Sequence, residues 1–247
     1  MAGHSKWKQI KRKKAVTDAR RGAHFTKLIK EITVAARSGG GDPAGNARLR
    51  TAIDAAKQAN MPLDNIERAV KKGTGALEGV HYEEITYEGY GPGGAAILIE
   101  VTTDNPNRTV ADVRHIFDKH GGKLAASGSV AFQFDKRGQI YLDAARVDED
   151  TAMEAALDAG ATDFVKDGDQ YVVTTTVHDL HAVQEGLKAK GIVPESAEIA
   201  MIPKSTVKVE GKNAETLVKL MEALEEHDDV SRVSSNFDVD LEALAGV

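Results

Sequence analysis

The chain has 247 residues, with 32 Lys and Arg against 38 Asp and Glu, and its formal net charge is −6. It contains no cysteine, which excludes disulfides, thiolate nucleophiles and cysteine-based zinc or iron–sulfur sites, and fits a reducing, cytoplasmic compartment. The N-terminus lacks the apolar core of a secretory signal, and the longest apolar run, near residues 95–99, is too short to span a bilayer. We therefore expect a soluble protein with no membrane partner.

The negative average conceals two regions of opposite charge. Residues 1–75 hold 17 Lys and Arg and 6 Asp and Glu, whereas residues 76–247 hold 15 and 32. The first region therefore carries a net charge of +11 and the second a net charge of −17. Such an asymmetry predicts a basic, nucleic-acid-binding module attached to an acidic body.

The first 75 residues read as a basic arm followed by three helices. Residues 5–14 hold six cations and little that is apolar, which indicates a flexible arm. An apolar stripe at helical spacing predicts a first helix over 17–37, with its cations on the opposite arc. Asp42-Pro43 predicts the start of a second helix, with Asp as its N-cap, and Pro62 opens a third. We expect residues 1–75 to form the nucleic-acid-binding domain.

After a linker near residues 73–79 the apolar period changes from 3.6 to 2, which indicates strands. Residues 136–202 follow the β-α-β-β-α-β order of a ferredoxin-like plait. Shorter β-α-β units flank them, and the earlier one is predicted to end in a strand at 129–134. Because neither short unit can bury a sheet alone, we expect residues 80–135 and 203–240 to pair as a split plait.

The predicted fold class is therefore multi-domain α and α+β. An N-terminal three-helix domain precedes two ferredoxin-like α/β plaits, one of which is inserted into the other.

The predicted nucleic-acid interface lies on the arm and the first helix. Lys and Arg neutralise phosphates by density of charge and need no fixed spacing. Trp7 either stacks on an exposed base or anchors the arm to the helices, and the sequence leaves both interpretations open. Arg108 is a secondary candidate for a phosphate contact. The predicted set is Lys6, Trp7, Lys8, Lys11, Arg12, Lys13, Lys14, Arg20, Arg21, Lys27 and Lys30.

Other motifs are interpreted as structural. The run Gly91-Pro92-Gly93-Gly94 lacks the Gly-Lys-Ser/Thr ending of a phosphate loop and precedes a strand, which favours a turn. Asp104 and Asn105 are expected to form turns and Asn107 to cap a helix. The eight histidines have no metal-ligand spacing, and the sequence has no nucleophile elbow. We therefore predict no catalytic residue, no metal and no cofactor.

Ordered motifs along the whole chain resemble those of the YebC family. They include Gly3-His4-Ser5-Lys6-Trp7, Gly39-Gly40-Gly41-Asp42-Pro43, Tyr87-Glu88-Gly89-Tyr90-Gly91-Pro92-Gly93-Gly94, Asp104-Asn105-x-Asn107-Arg108-Thr109 and Gly128-Ser129-Val130. The resemblance implies a helical N-terminal domain and two plait-like domains, with no enzymatic activity. It also implies one of several roles, namely a DNA-binding transcriptional regulator, a mitochondrial translational activator for cytochrome c oxidase subunits, or a ribosome-associated factor that relieves stalling on proline-rich stretches.

The sequence leaves more than one functional hypothesis open. The first is a ribosome-associated translation factor whose basic domain contacts rRNA, and the second is a DNA-binding transcriptional regulator that uses the same surface. RNA is favoured because a body with a charge of −17 is repelled by a long duplex lying alongside it. A third hypothesis is an enzyme built on the segment Asp104–Arg108. A monomer is the default expectation.

Overall fold

The computed structural model describes residues 18–240, with side chains described from residue 22 onward. The chain divides into two compact units, one comprising Met1–Phe134 and Pro203–Val247 and the other Asp135–Ile202. The predicted fold class is confirmed, because an N-terminal helical domain precedes sheet-containing α+β domains. None of the helices between residues 18 and 240 combines the length and apolarity that crossing a bilayer requires.

Seven helices and ten strands make up the described part of the chain, together with two single 3₁₀ turns at Pro92–Gly94 and Ala131–Gln133. In chain order they are α1 (Asp18–Gly39), α2 (Ala47–Gln58), α3 (Leu63–Gly73), β1 (Glu83–Tyr90), β2 (Ala96–Thr103), α4 (Pro106–Lys119), β3 (Lys123–Ala125), β4 (Phe134–Asp143), α5 (Glu149–Asp158), β5 (Asp163–Asp167), β6 (Gln170–Thr175), α6 (Leu180–Ala189), β7 (Ser196–Pro203), β8 (Val207–Lys208), α7 (Gly211–Glu226), β9 (Val230–Ser235) and β10 (Phe237–Asp238).

The first three helices pack around their own apolar core, which includes Ile32, Leu49 and Ile66. Helices α1 and α3 approach closely at Gly73, where a Cβ would lie 2.4 Å from the carbonyl oxygen of Thr33. Because no side chain fits in that space, Gly73 determines how near the end of α3 lies to α1.

The start of α2 differs from the prediction. Asp42-Pro43 lies in a turn before the helix, and the N-cap is Asn46, not Asp42. The Asn46 Oδ1 accepts the Leu49 amide N–H at 3.0 Å, and its Nδ2 donates to the Ala35 carbonyl of α1 at 2.8 Å. Asn46 is buried, and its amide links two helices, which a local Asp-Pro pattern does not reveal.

The sheet of the first unit has the strand order β3-β1-β2-β9 and antiparallel pairing throughout. Its core contains Ile97, Ile99 and Val101 of β2, which are packed with Phe117 of α4 and Leu217 of α7. The order is that of a ferredoxin-like plait. Strand β1, which precedes the β2-α4-β3 segment in the chain, occupies the position that in a continuous plait belongs to the strand after β3.

The second unit forms a four-stranded sheet of order β5-β6-β4-β7, with α5 and α6 packed around a core that includes Ile140, Val173 and Leu187. Its strands and helices follow the predicted β-α-β-β-α-β order.

The predicted strand at 129–134 is wrong. The strand after α4 is β3, at Lys123–Ala125, and the following residues form a turn before β4 begins at Phe134. The alternation of Val130, Phe132 and Phe134 resembles a strand, but Phe132 is 67% exposed while Val130 and Phe134 are buried. A distant carboxylate, described below, imposes the turn.

Candidate functional site

The predicted interface residues fall into three groups. Seven lie outside the described residues, namely Lys6, Trp7, Lys8, Lys11, Arg12, Lys13 and Lys14. Arg20 and Arg21 lie in α1 at positions where the structure describes only the backbone. Lys27 and Lys30 are described with their side chains.

Most of the positive excess lies at the start of the chain. Residues 1–21 hold eight Lys and Arg and one acidic residue, whereas residues 22–75 hold nine and five. The net charges are therefore +7 and +4, which makes the first 21 residues the more densely basic part.

Lys30 does not lie on an exposed basic face. It is 8% exposed, and its Nζ forms an ion pair of 2.7 Å with Oδ1 of Asp229. The same Nζ donates to the carbonyl oxygens of Asp228 at 2.9 Å and Thr102 at 3.3 Å, which uses all three ammonium hydrogens. This geometry contradicts the prediction that Lys30 contacts phosphate, because its charge is neutralised inside the protein.

Polar side chains from three elements, α1, β2 and α4, form hydrogen bonds with the Asp229 carboxylate. Its Oδ2 accepts hydrogen bonds from Arg108 Nη2 at 2.7 Å, Thr109 Oγ1 at 2.7 Å and Thr103 Oγ1 at 3.1 Å. Burial raises the pKa of Asp229, but the hydrogen bonds from Lys30, Arg108 and Thr109 outweigh it and hold that pKa well below its ordinary value of 3.8. Asp229 is therefore ionised at neutral pH.

Arg108 completes the balance of charge at this site. Its Nη2 also contacts Asp104 Oδ1 at 2.9 Å, so two cations, Lys30 and Arg108, face two carboxylates. The guanidinium is half exposed, but these two acids engage it. Arg108 is therefore a poor phosphate contact and a good link between α4 and Asp229.

The polar segment around Arg108 also starts a helix. The N-cap of α4 is Asn105, not the predicted Asn107, because Asn105 Oδ1 accepts the Arg108 amide N–H at 3.1 Å. Pro106 occupies the first helical position, where a missing N–H costs nothing. The motif therefore has a structural explanation that does not require catalysis.

His227 accepts a hydrogen bond from the backbone of Asp229. Its Nδ1 accepts the Asp229 amide N–H at 3.1 Å, so in the neutral ring the proton lies on Nε2, which is 3.3 Å from Asp112 Oδ2. Among the side chains described, those of residues 22–240, no three of His, Asp or Glu converge as a metal ion would require.

Two further cations link the first three helices to the rest of the first unit. The half-buried Lys27 donates its Nζ hydrogen to the carbonyl oxygen of Glu225, near the end of α7. Arg48 pairs with Glu31 at 2.7 Å and with Glu84 of β1 at 2.5 Å, and these carboxylates raise its pKa. Lys27 and Lys30, which the sequence assigns to the nucleic-acid interface, thus join Arg48 in stabilising the contact between the helices and the rest of the first unit.

Other cations of the helical domain are exposed, and the predicted interface set leaves them out. Helix α3 buries Ile66 and Ala69, and at about 100° per residue its cations point to the opposite side. The spacing of the apolar residues in α3 is the sequence signal that places Arg68, Lys71 and Lys72 on its exposed side. The exposed set is Arg37, Lys57, Arg68, Lys71 and Lys72.

A second buried carboxylate lies toward the other end of β2. Glu88 of β1 is 4% exposed, and it accepts the amide N–H groups of Gly128 at 2.7 Å, Val130 at 2.6 Å and Ala131 at 2.9 Å. Burial raises the pKa of Glu88, but these backbone hydrogen bonds lower it below the ordinary 4.5. The carboxylate therefore fixes the turn that replaces the predicted strand.

Two family models match consecutive parts of the chain. Residues 5–76 match the TACO1/YebC protein N-terminal domain, and residues 82–237 match the TACO1/YebC second and third domain.

Similar proteins extend over the whole chain. A protein of Gemmatimonas aurantiaca named "Probable transcriptional regulatory protein" is 59% identical over 99% of both chains. One of Acidithiobacillus ferrooxidans with the same name is 58% identical and covers 99% of this chain and 98% of its own. Among solved structures, the crystal structure of a conserved hypothetical protein from Aquifex aeolicus matches with a TM-score of 0.87 and 48% identity, over 94% of this chain and 96% of that one.

Proposed function

Because the chain belongs to the TACO1/YebC family, we propose that it is a non-enzymatic regulator of gene expression that binds nucleic acid through its basic N-terminal region. The observation that carries this proposal is the division of the positive charge. Lys30 and Arg108 are neutralised by Asp229 and Asp104, whereas residues 1–21 supply +7 of the net charge of +11 that the sequence gives residues 1–75. Dense positive charge is what phosphate binding requires.

The specific form of the proposal is a cytoplasmic, ribosome-associated translation factor. Its basic N-terminal domain contacts rRNA and relieves stalling on proline-rich stretches, and the protein acts as a monomer. The charge of −17 on residues 76–247 supports RNA over a long duplex, because it limits how far phosphates can extend past the basic region. Contact guided by shape and phosphates suits folded RNA.

The proposed contact residues combine the predicted set with what the structure shows of the cations from residue 22 onward. The predicted set is retained without Lys30 and with Lys27 and Arg108 as minor contributors, and the exposed cations of the helices join it. Besides these two minor contributors, the set is then Lys6, Trp7, Lys8, Lys11, Arg12, Lys13, Lys14, Arg20, Arg21, Arg37, Lys57, Arg68, Lys71 and Lys72.

The test removes four charges at the start of the chain. In the variant Lys11→Ala, Arg12→Ala, Lys13→Ala, Lys14→Ala, we expect weaker co-sedimentation with ribosomes and a flatter dependence on salt, because fewer counterions are released. The matched control removes four exposed lysines of the acidic region, through Lys119→Ala, Lys136→Ala, Lys212→Ala and Lys219→Ala. Equal co-sedimentation of the two variants would contradict a specific role for the N-terminal charges.

The name shared by the relatives favours a second candidate, a DNA-binding transcriptional regulator that uses the same surface. This function requires discrimination between sequences. Gel-shift titrations at fixed salt with promoter DNA and with scrambled DNA of equal length test it, and equal affinities exclude regulation by sequence recognition.

A further inference from the structure

Two aromatic residues of the first unit face solvent at one turn. Among residues 22–240, the exposed Phe, Tyr or Trp side chains are those of Phe132, at 67%, and Tyr90, at 39%. They belong to one local structure, because Tyr90 Oη donates to the carbonyl oxygen of Ser129 at 2.9 Å, three residues before Phe132. A large apolar ring that remains exposed on a folded surface gains nothing from burial within its own chain.

The turn that carries Phe132 is held on both sides. Before it, the buried Glu88 carboxylate accepts three amide N–H groups. At and after it, Lys204 donates its Nζ hydrogen to the Phe132 carbonyl at 2.9 Å and its amide N–H to the Gln133 carbonyl at 2.8 Å. The backbone is therefore fixed while the ring stays in solvent, which is how a preorganised contact residue is presented.

A lysine lies close to the backbone of each of these two residues. Lys204 contacts the Phe132 backbone, and Lys123 of β3 lies directly opposite Tyr90 in the β1–β3 ladder, on the same face of the sheet. Both lysines are exposed, in a region whose overall charge is strongly negative. The flanking Ser127 and Gly128 are exposed and small, unlike the apolar surroundings of a protein hot spot.

We propose that the Tyr90–Phe132 surface binds unpaired nucleotides. Their bases stack on the two rings, and Lys123 and Lys204 attract the adjoining phosphates. This inference rests on the proposed function and deepens it, because it assigns single-stranded segments of the nucleic acid to the plait and leaves phosphate density to the basic N-terminal region. It also accounts for the Gly128-Ser129-Val130 motif, in which the amide N–H groups of Gly128 and Val130 donate hydrogen bonds to the Glu88 carboxylate.

The test uses full-length protein and two fluorescein-labelled probes at fixed salt, a single-stranded RNA of mixed sequence and the same RNA as a duplex. In fluorescence anisotropy, Phe132→Ala is expected to weaken single-strand binding by about 5- to 100-fold, as for other base-stacking residues, and to leave duplex binding unchanged. Phe132→Trp keeps a stacking ring and is expected to retain single-strand binding. The matched control is Leu157→Ala, which removes another exposed apolar side chain, in the second unit, and is expected to change neither.

Other outcomes separate this inference from the proposed function. If the four-alanine variant at residues 11–14 loses binding to both probes while Phe132→Ala loses neither, the nucleic-acid-binding function stands and the stacking surface is overturned. An equal loss for single strand and duplex also overturns it, because stacking needs unpaired bases. If the wild type binds neither probe, both proposals fail. If Phe132→Ala keeps RNA affinity but abolishes binding to a purified protein partner, the surface is a protein contact and the inference is wrong.

Discussion

Asp229 and Glu88 are two buried carboxylates in the same unit, and they are stabilised by different kinds of donor. Asp229 is bound by the side chains of Lys30, Arg108 and Thr109, which come from helices distant in sequence. Glu88 is bound by backbone N–H groups of one short turn. Both have a lowered pKa, so both are charged in the folded protein at neutral pH.

The kind of donor, side chain or backbone amide, determines which part of the structure each carboxylate holds in place. A carboxylate bound by side chains joins particular residues of separate helices, and replacing any one of them removes a hydrogen bond from the contact. A carboxylate bound by amides specifies the shape of a loop and leaves its side chains free to serve another purpose. Asp229 therefore holds α1 against the sheet. Glu88 holds the turn in the conformation that exposes Phe132.

The largest expected loss of stability comes from removing the negative charge of Asp229, which is the counterion of the buried Lys30. Asp229→Asn leaves a buried ammonium without its counterion, and we expect the free energy of unfolding of the first unit to fall by about 3–5 kcal/mol. Urea denaturation followed by circular dichroism measures it. The control is Asp104→Asn, which removes the exposed partner of the same Arg108 and should cost at most about 1 kcal/mol. Equal losses for the two variants would mean that burial of the Lys30 pair does not matter.

A smaller effect is expected at the turn. Glu88→Gln keeps the shape of the side chain but removes the charge that strengthens three amide hydrogen bonds, and we expect a loss of about 1.5–3 kcal/mol. Hydrogen exchange should speed up at the amides of Gly128, Val130 and Ala131 and not at the Lys30 site. Glu83→Gln, on the exposed start of the same strand, is the control and should change neither measurement. Slow exchange retained at all three amides in Glu88→Gln would show that the turn does not depend on this carboxylate.

The smallest expected effect is the dependence on pH. Both folded pKa values lie below the ordinary values of 3.8 for Asp229 and 4.5 for Glu88, so the folded state binds fewer protons than the unfolded chain. The stabilisation is complete above those ordinary values and is lost as the pH falls through them toward the folded pKa, by at most about 1.4 kcal/mol per pH unit for each group. Urea titrations between pH 7 and pH 2.5 measure it.

The two variants resolve that pH dependence into its parts. Glu88→Gln should flatten the curve starting just below pH 4.5, and Asp229→Asn should flatten it only below pH 3.8. Curves parallel to the wild type in both variants would assign the acid sensitivity to other groups.

Local pattern was sufficient for most of the secondary structure. The spacing of apolar residues predicts the helices and the plait of the second unit, because each element buries its own stripe or face. The pattern fails where a distant polar group decides the outcome. Val130, Phe132 and Phe134 alternate like a strand, but Glu88, more than 40 residues earlier, binds the amides of that segment.

The same limit applies to the site. The charge split indicates the basic region, but no local feature distinguishes Lys30 from an exposed lysine, because its partner Asp229 is 199 positions away. The identity of the N-caps is another example, since Asn46 is selected by its additional contact with Ala35 of α1. The exposed cations of α3, in contrast, follow from helical spacing and were within reach of the sequence.

The split of the first unit around the inserted plait has a consequence for synthesis of the chain. Asp135–Ile202 is continuous and can complete its sheet as soon as it has been made, whereas the first sheet needs β9, which follows it. Domains fold as units during translation, in the order in which their residues emerge. The first three helices can form their own core earlier, but Asp229 cannot neutralise Lys30 until residue 229 has been synthesised. A nascent chain that stops before residue 229 leaves that lysine without its carboxylate, so docking of α1 is coupled to synthesis of this distant segment.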